Sequence, residues 1–328
     1  MGIILVVTPN PCIDKTLFVN SIAPKPKVIV EKVKEIAGGK GSNVSRVLYR
    51  LGIEVGHFVI LGGYTGQRVK SLMELDGVPV YPAWISQLTR VVTTVVDRNW
   101  QQIAYFEPGP VISSQEMEQV LLTFEKIIPS VELIVLCGSV SDQSAHALYY
   151  RMIQIAKKNR IKTIIDSRGA PLIEALKAQP WMVKMNREEA EETWGRKIIC
   201  GDDLHKFYGF LNSKGIEYCI LTLGEKGAWF RGERLSWLGY SPKVTSVNPV
   251  GSGDSFLAAF IFGFVNGRKW DECLQLGIAA GAANAQTWDA AMITWHDIQL
   301  LLPEVKVEGG DIFLEREWKN LNSICENE

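Results

Sequence analysis

The stretch Asn248-Pro249-Val250-Gly251-Ser252-Gly253-Asp254 runs straight into an apolar segment, Phe256 to Val265, that reads as a buried helix with a glycine-rich entry. Gly251 and Gly253 leave no side chain in the way, so the N–H groups of residues 251 to 254 can converge on one point at the positive end of the helix dipole. That makes an anion site suited to phosphate. Asp254 is the informative residue, because a carboxylate would repel a resting phosphate unless it has another task. The task that fits is to take the proton of a hydroxyl as it attacks the terminal phosphate of a nucleotide, with Gly251, Ser252 and Gly253 cradling the charge. The bland alternative is an Asp serving as helix N-cap beside two turn glycines.

Other groups share this character. Ala37-Gly38-Gly39-Lys40-Gly41-Ser42-Asn43-Val44 is a second glycine cluster leading into a helix, and it fails the G-x-x-x-x-G-K-[ST] pattern. Its glycines would let a sugar lie on the backbone, with Asn43 hydrogen-bonding hydroxyls and Lys40 meeting an anion. Asp14 follows the first strand and turn, where open α/β sheets place ligands, and can accept from two sugar hydroxyls. Lys184-Met185-Asn186-Arg187-Glu188-Glu189 puts an amide and a carboxylate three residues apart at a strand-to-helix junction. Asn186 and Glu189 could organise a hydrated Mg2+, or the acidic run could be a solvated helix start. Thr222-Leu223-Gly224-Glu225-Lys226-Gly227 ends a strand with a turn whose backbone can approach nucleotide phosphates or ribose, and Gly281 to Ala285, including Asn284, has the small residues that suit a flat adenine ring or close helix packing.

These residues need elements to hold them. Short β-branched runs at Ile3–Val7, Gly56–Leu61, Leu133–Cys137, Lys162–Asp166, Met182–Met185 and Tyr218–Leu223 alternate with helical patterns at Gly41–Leu51, Gln115–Ile128, Ala145–Lys158, Arg187–Gly195 and Asp203–Lys214. Such alternation argues for an α/β, mostly parallel sheet covered on both faces. Two stretches, about 12–36 and 88–107, alternate apolar with polar residues and predict a small separate sheet with Arg90 near its edge, placed to close over a substrate. From about Val305 the chain turns charged and reads as a peripheral tail, 305–328, beyond a domain of residues 1–304.

Composition narrows the partner. The chain has 328 residues, 47% of them hydrophobic, and a formal net charge of −1 with no basic block, so nucleic acid and anionic membrane are not expected and a small molecule is. Six scattered cysteines and four dispersed histidines fit neither a zinc site nor a disulfide framework. They suit a reducing cytoplasm, as does a start that passes from Met1-Gly2 directly into a strand, with no signal peptide expected.

Taken together, Gly38-Gly39-Lys40-Gly41-Ser42-Asn43-Val44, Lys184-x-Asn186-x-x-Glu189 and Asn248-Pro249-Val250-Gly251-Ser252-Gly253-Asp254 resemble the two signatures and the magnesium motif of the PfkB, ribokinase-like, carbohydrate kinases. The opening Thr8-Pro9-Asn10-Pro11-Cys12-Ile13-Asp14 looks most like the tagatose-6-phosphate kinase and 1-phosphofructokinase branch. The resemblance implies a three-layer domain with a β lid, ATP as donor, Mg2+, and a sugar or sugar phosphate as acceptor. It implies Asp254 as base, Gly251 to Gly253 as anion hole, Asp14, Gly39 and Asn43 on the sugar, and Lys40 and Arg90 on the sugar's existing phosphate. It assigns Ser139 to the substrate, Lys184, Asn186, Thr222, Gly224, Gly227 and Asn284 to the nucleotide, and allows a homodimer through the lid. There are two departures: Val28-Ile29-Val30 stands where the branch usually has a lid Arg, and Gly138-Ser139-Val140-Ser141-Asp142-Gln143 replaces a Gly-Ser-x-Pro-x-Gly turn. The identity of the phosphosugar is thereby open, and a kinase of an unphosphorylated sugar or nucleoside is the alternative. Rivals from other classes are a non-catalytic sugar-binding regulator and a dinucleotide oxidoreductase, whose third fingerprint glycine would fall on the bulky Phe256.

Overall fold

The computed structural model describes residues 2–22 and 27–311. The chain opens with strand β1 (Ile3–Thr8), passes through β2 (Cys12–Val19) and β3 (Val30–Gly38) into helix α1 (Lys40–Arg50), and continues with β4 (Val55–Gly62), α2 (Gly63–Leu75) and β5 (Val80–Ile85). Strands β6 (Arg90–Val96) and β7 (Gln102–Phe106) precede α3 (Ser114–Ile127), β8 (Val131–Cys137), α4 (Leu148–Lys158), β9 (Lys162–Asp166), α5 (Gly169–Leu176) and β10 (Met182–Asn186). Then come α6 (Arg187–Trp194), α7 (Gly201–Ser213), β11 (Tyr218–Thr222), β12 (Ala228–Arg231), β13 (Leu235–Tyr240), α8 (Ser252–Val265), α9 (Trp270–Ala285), α10 (Trp295–Leu301) and β14 (Lys306–Asp311).

Ten strands make one sheet in the order β14-β13-β12-β11-β10-β9-β8-β1-β4-β5, parallel from β11 to β5 and antiparallel from β11 to β14. The period of two in β1 explains the layers: Leu5 and Val7 join a core with Phe124, Leu148 and Phe207, while Ile4 and Val6 join one with Val44, Phe260 and Leu274 on the other face. Both faces are therefore covered by helices, as the flat apolar runs of the strands require. The second sheet, β3-β2-β6-β7, is the small one anticipated at 12–36 and 88–107, with residues 23–26 outside the described chain.

The main departure is at the carboxyl end. Lys306–Asp311, expected to begin a peripheral tail, is strand β14 and pairs with β13 at the edge of the main sheet. Its polar, glycine-containing sequence hides it, and such a sequence suits an edge strand. Residues 312–328 lie outside the described chain. β5, the opposite edge, contains Pro82, which only an edge tolerates.

Candidate active site

The carboxyl ends of the parallel strands deliver the polar cluster. Asp166, the last residue of β9, is fully buried and bridges two ammonium groups, Lys40 Nζ at 2.5 Å and Lys184 Nζ at 2.7 Å. Lys40 Nζ also donates to Glu189 Oε1 at 3.0 Å. Two ammoniums thus face three carboxyls, those of Asp166, Glu189 and Asp254, and the excess negative charge must be relieved somewhere. Its effect shows at Asp254, which is 6% exposed: burial and the neighbouring Asp166 push its carboxyl up, against Lys40, Lys184 and a hydrogen bond from Asn43. At Asp166 burial pushes the same way, but Lys184 and Lys40 outweigh it and hold the group below the ordinary carboxylate value. Burial works against the charge of Lys40, and Asp166, Glu189 and Asp254 reverse that and raise it.

The N-cap alternative for Asp254 does not hold. The N-cap of α8 is Gly251 at φ 84°, no side chain caps the helix, and Asp254 Oδ2 instead accepts from Asn43 Nδ2 at 2.8 Å. The cradle is smaller than expected, because Ser252 N donates to Pro249 O at 3.1 Å. The first helical bond is Ser255 N to Gly251 O, so the amides of Gly253 and Asp254 precede the intrahelical ladder and remain for an anion. Around a Cβ placed on Gly253, only Lys184 Nζ at 2.9 Å and Lys184 Cε at 3.9 Å come within 4 Å among the described residues. The Lys184 ammonium is thus the nearest group to the side-chain position of Gly253.

Asn284, expected beside the nucleotide, has its side-chain amide engaged by the protein itself. It is fully buried on α9 and spends its amide inside the protein, with Nδ2 donating to Val250 O (2.8 Å) and Ser252 Oγ (3.2 Å), and Oδ1 accepting from Ala291 N (2.7 Å) and Ser255 Oγ (3.3 Å). Its bonds to Val250 and Ser252 hold the glycine loop in place. Gly227 lies close to the neighbouring strand, since a Cβ there would meet Gly239 O at 2.0 Å. Gly224 has open space, and Thr222 ends β11 half-buried, its hydroxyl 3.4 Å from Met185 O.

Asn186 and Glu189 form a capping box at the start of α6, each accepting from the other's backbone N–H. Asn186, Glu189 and Asp166 offer only oxygens, which suits Mg2+, and the Lys40 ammonium already stands between the two carboxylates. The set fits an ion held largely through its own waters. No cluster of three or more His, Cys, Asp or Glu side chains arranged for a metal occurs among the described residues.

On the lid side, Asp14 in β2 lines a cavity of about 70 Å³ with Thr16, Lys34, Asn248, Val250 and Trp288. Its carboxyl is pushed up by burial, against the charge of Arg46. The lid rests on the 288–289 loop: Trp288 packs against Phe18 and Trp100 with ring centroids 6.2 and 4.9 Å away, and Lys34 pairs with Asp289. Arg90 opens β6 beside a wider hollow of about 690 Å³, and Ser139 Oγ accepts from Asn10 Nδ2 at 3.2 Å. Arg90 donates to Asn10 O at 3.4 Å, whereas Lys40 turns to Asp166 and Glu189, so the two cations assigned to one phosphate have different neighbours. Gly39 caps α1 with its Cα side closed by Thr8 and Pro11. Ile29, one of the residues replacing a lid Arg, is 75% exposed.

Sequence reasoning passed over Asp166 and Arg46. The signal for the first is an acid as the last residue of a parallel strand, and for the second a cation set among the core-facing residues of α1.

A helix start with amides outside the helical ladder, a raised carboxyl and two lysines stand together at the strand ends of an open α/β sheet. The chain belongs to the pfkB family of carbohydrate kinases, whose pattern matches residues 7–295. It is 27% identical to 1-phosphofructokinase of Bacillus subtilis over 304 residues, covering 93% of this chain and 99% of that one. It is 28% identical to a Staphylococcus epidermidis tagatose-6-phosphate kinase over 309 residues, again 93% and 99%. Among solved structures, phosphofructokinase-2 from Escherichia coli in complex with potassium superposes with a TM-score of 0.85 at 25% identity, covering 93% of this chain and 99% of that one. The fold is ribokinase-like and the protein is a carbohydrate kinase, with ATP as the co-substrate its family implies.

Proposed function

We propose that this enzyme transfers the terminal phosphate of ATP to a hydroxyl of a ketohexose phosphate, of the tagatose 6-phosphate or fructose 1- or 6-phosphate type. The observation that carries the reading is that the amides of Gly253 and Asp254 precede the helical ladder next to Lys184 Nζ and beside the raised carboxyl of Asp254. The acceptor lies between lid and cradle, with Asp14 on its hydroxyls and Arg90 near its phosphate. Its hydroxyl oxygen forms a bond to the γ-phosphorus, the bond from that phosphorus to the ADP oxygen breaks, and the proton passes to Asp254. The amides of Gly253 and Asp254, with Lys184 and Lys40, hold the charge on the moving group. Magnesium, held through water near Asn186 and Glu189, would supply further charge on the nucleotide phosphates.

The cavity beside Asp14 is far smaller than the ~300 Å³ at which small-molecule sites begin, so the lid lifts from Trp288 and Asp289 to admit substrate. Exposed Ile103, Tyr105 and Phe106 on β7 suit pairing of lids in a homodimer, which sedimentation-equilibrium or light-scattering mass would read as twice the chain mass. A cytoplasmic setting is supported by the five free cysteines among the described residues.

Purified enzyme with MgATP should turn over at least one of fructose 1-phosphate, fructose 6-phosphate and tagatose 6-phosphate far faster than fructose, ribose or adenosine. Preference for an unphosphorylated acceptor would replace the phosphosugar reading with its alternative.

A further inference from the structure

Arg46 is 1% exposed and sits on α1 one turn beyond Asn43, on a helix whose other buried positions include Val44, Val47 and Leu48. A buried guanidinium is costly unless every donor is satisfied. Here Nε donates to Asp76 Oδ2 at 2.7 Å, Nη2 to Ala37 O at 2.8 Å, and Nη1 to Asn43 Oδ1 at 3.0 Å. The third bond has a chemical consequence. Arg can only donate, so the end of the Asn43 amide facing it must be the carbonyl. The amide's other end, Nδ2, is thereby turned to donate to Asp254 Oδ2. Without that constraint the amide is free to rotate by half a turn and present its carbonyl oxygen to the carboxylate.

We infer that Arg46 is a positioning residue for the transfer reaction: through the chain Asp76–Arg46–Asn43–Asp254 it fixes which end of the Asn43 amide meets the base, leaving Asp254 Oδ1 for the acceptor hydroxyl. This rests on the reading of Asp254 as proton acceptor. The anchor of the chain is Asp76, at the end of α2, whose side chain is 21% exposed. The same guanidinium holds Ala37 O, and with it the strand end that leads into Gly38 and Gly39, so one side chain ties the first glycine cluster to the base of the second.

The other groups acting on Asp254 are Asp166 from β9, Lys184 from β10 and Lys40 from α1, the last also paired with Glu189 of α6. None of them bonds Arg46, but the Arg46 charge also acts on the Asp14 carboxyl of β2 and on the buried His57 of β4, so its loss raises Asp14 as well as altering Asp254 through Asn43.

The test is the pH profile of kcat for wild type, Arg46→Lys, Arg46→Met and Asp76→Asn. A hydrogen bond to the charged form lowers a pKa and its loss raises it, so the acid limb of kcat should move to higher pH in Arg46→Met, by roughly half a pH unit or more. Arg46→Lys, which still donates and cannot accept, should recover most of that shift, and Asp76→Asn should show a smaller one. Turnover of Arg46→Met should fall about tenfold with the ATP KM within twofold of wild type. In side-chain amide NMR spectra, the Asn43 NH2 pair should lose its protection from exchange in Arg46→Met. Because the lost charge at Asp14 can move the limb by itself, the amide decides: Asn43 signals that keep their protection in Arg46→Met, whatever the limb does, overturn the inference and leave Arg46 a structural or purely electrostatic role. If Arg46→Met does not fold, the Asn43 signals of Asp76→Asn decide by the same criterion. Asp254→Asn serves as the separate control: if it keeps turnover, the base reading fails, and the Asn43 exchange measurement still decides whether Arg46 orients the amide.

Discussion

Two neighbouring glycines of the 248–254 loop should fail in opposite ways when given a methyl group. Gly251 holds φ 84°, and a Cβ there would stand 3.1 Å from Ala290 Cβ and 3.3 Å from Ala291 N, the latter immovable backbone. An L-residue in that region costs about 1–2 kcal/mol and the crowding about 1 more, so Gly251→Ala should lose roughly 2–3 kcal/mol of stability. Gly253 is different. It is the second residue of α8 with no left-handed φ, so alanine gains up to about 1 kcal/mol of helix propensity there. Its methyl would meet only Lys184 Nζ, at 2.9 Å, a side-chain end that can shift but is tied to Asp166. The two effects nearly cancel, and Gly253→Ala should stay within about 1 kcal/mol of wild type. Yet in the proposed reaction the methyl displaces Lys184 from beside the amides that hold the transferring phosphate, and a displacement of about an ångström there costs on the order of a hundredfold in rate. Chemical denaturation and steady-state kinetics on the two variants read both quantities. A Gly253→Ala enzyme with near-normal kcat would mean that nothing is bound over that amide, and a stable Gly251→Ala would mean that the loop does not hold the conformation described.

Further consequences follow from the buried charges. His57 is fully buried, its Nε2 2.8 Å from Thr8 Oγ1, and burial together with Arg46 lowers its pKa to about 3. The unfolded chain therefore takes up this proton below about 6.5 and the folded one does not until about 3. Stability is retained above that window and falls with decreasing pH inside it, by up to about 1.4 kcal/mol per unit, a slope that denaturation of His57→Gln should show reduced. Lys184→Met leaves Asp166 with Lys40 as its remaining ion-pair partner and should cost about 3 kcal/mol, the low end for breaking a buried pair, measured by denaturant midpoint. Asp254 has the opposite sign to most carboxylates. Its raised folded pKa means that stability falls as pH rises from the ordinary carboxylate value through the folded one, so Asp254→Asn should be more stable than wild type at neutral pH, with no gain in acid, as denaturant midpoints at the two pH values would show.

The parts of this molecule legible from sequence are those that repeat a physical period or demand an unusual backbone. The flat runs of β1, β8, β9, β10 and β11 give the parallel sheet, the alternating stretches give the lid, and the Gly-Ser-Gly-Asp start of α8 gives the cradle. What was not legible depends on chain-distant neighbours. Asp254 reads as a possible cap until Asn43, 211 residues earlier, is seen to claim its Oδ2. Asn284 looks like a ligand contact because small residues surround it, and only the return of the 248–252 loop shows that its amide is consumed there. Asp166 carries no local motif and acquires its place from two lysines in other elements. β14 is polar because it is an edge, and polarity is what made it look like a tail.

The central claim is that Asp254 takes the proton of the acceptor hydroxyl. Single-turnover phosphoryl transfer by Asp254→Asn, with ATP affinity measured by calorimetry on the same sample, tests it most directly. The transfer rate should fall by about three orders of magnitude while ATP binds as in wild type. Transfer within a few-fold of wild type would contradict it.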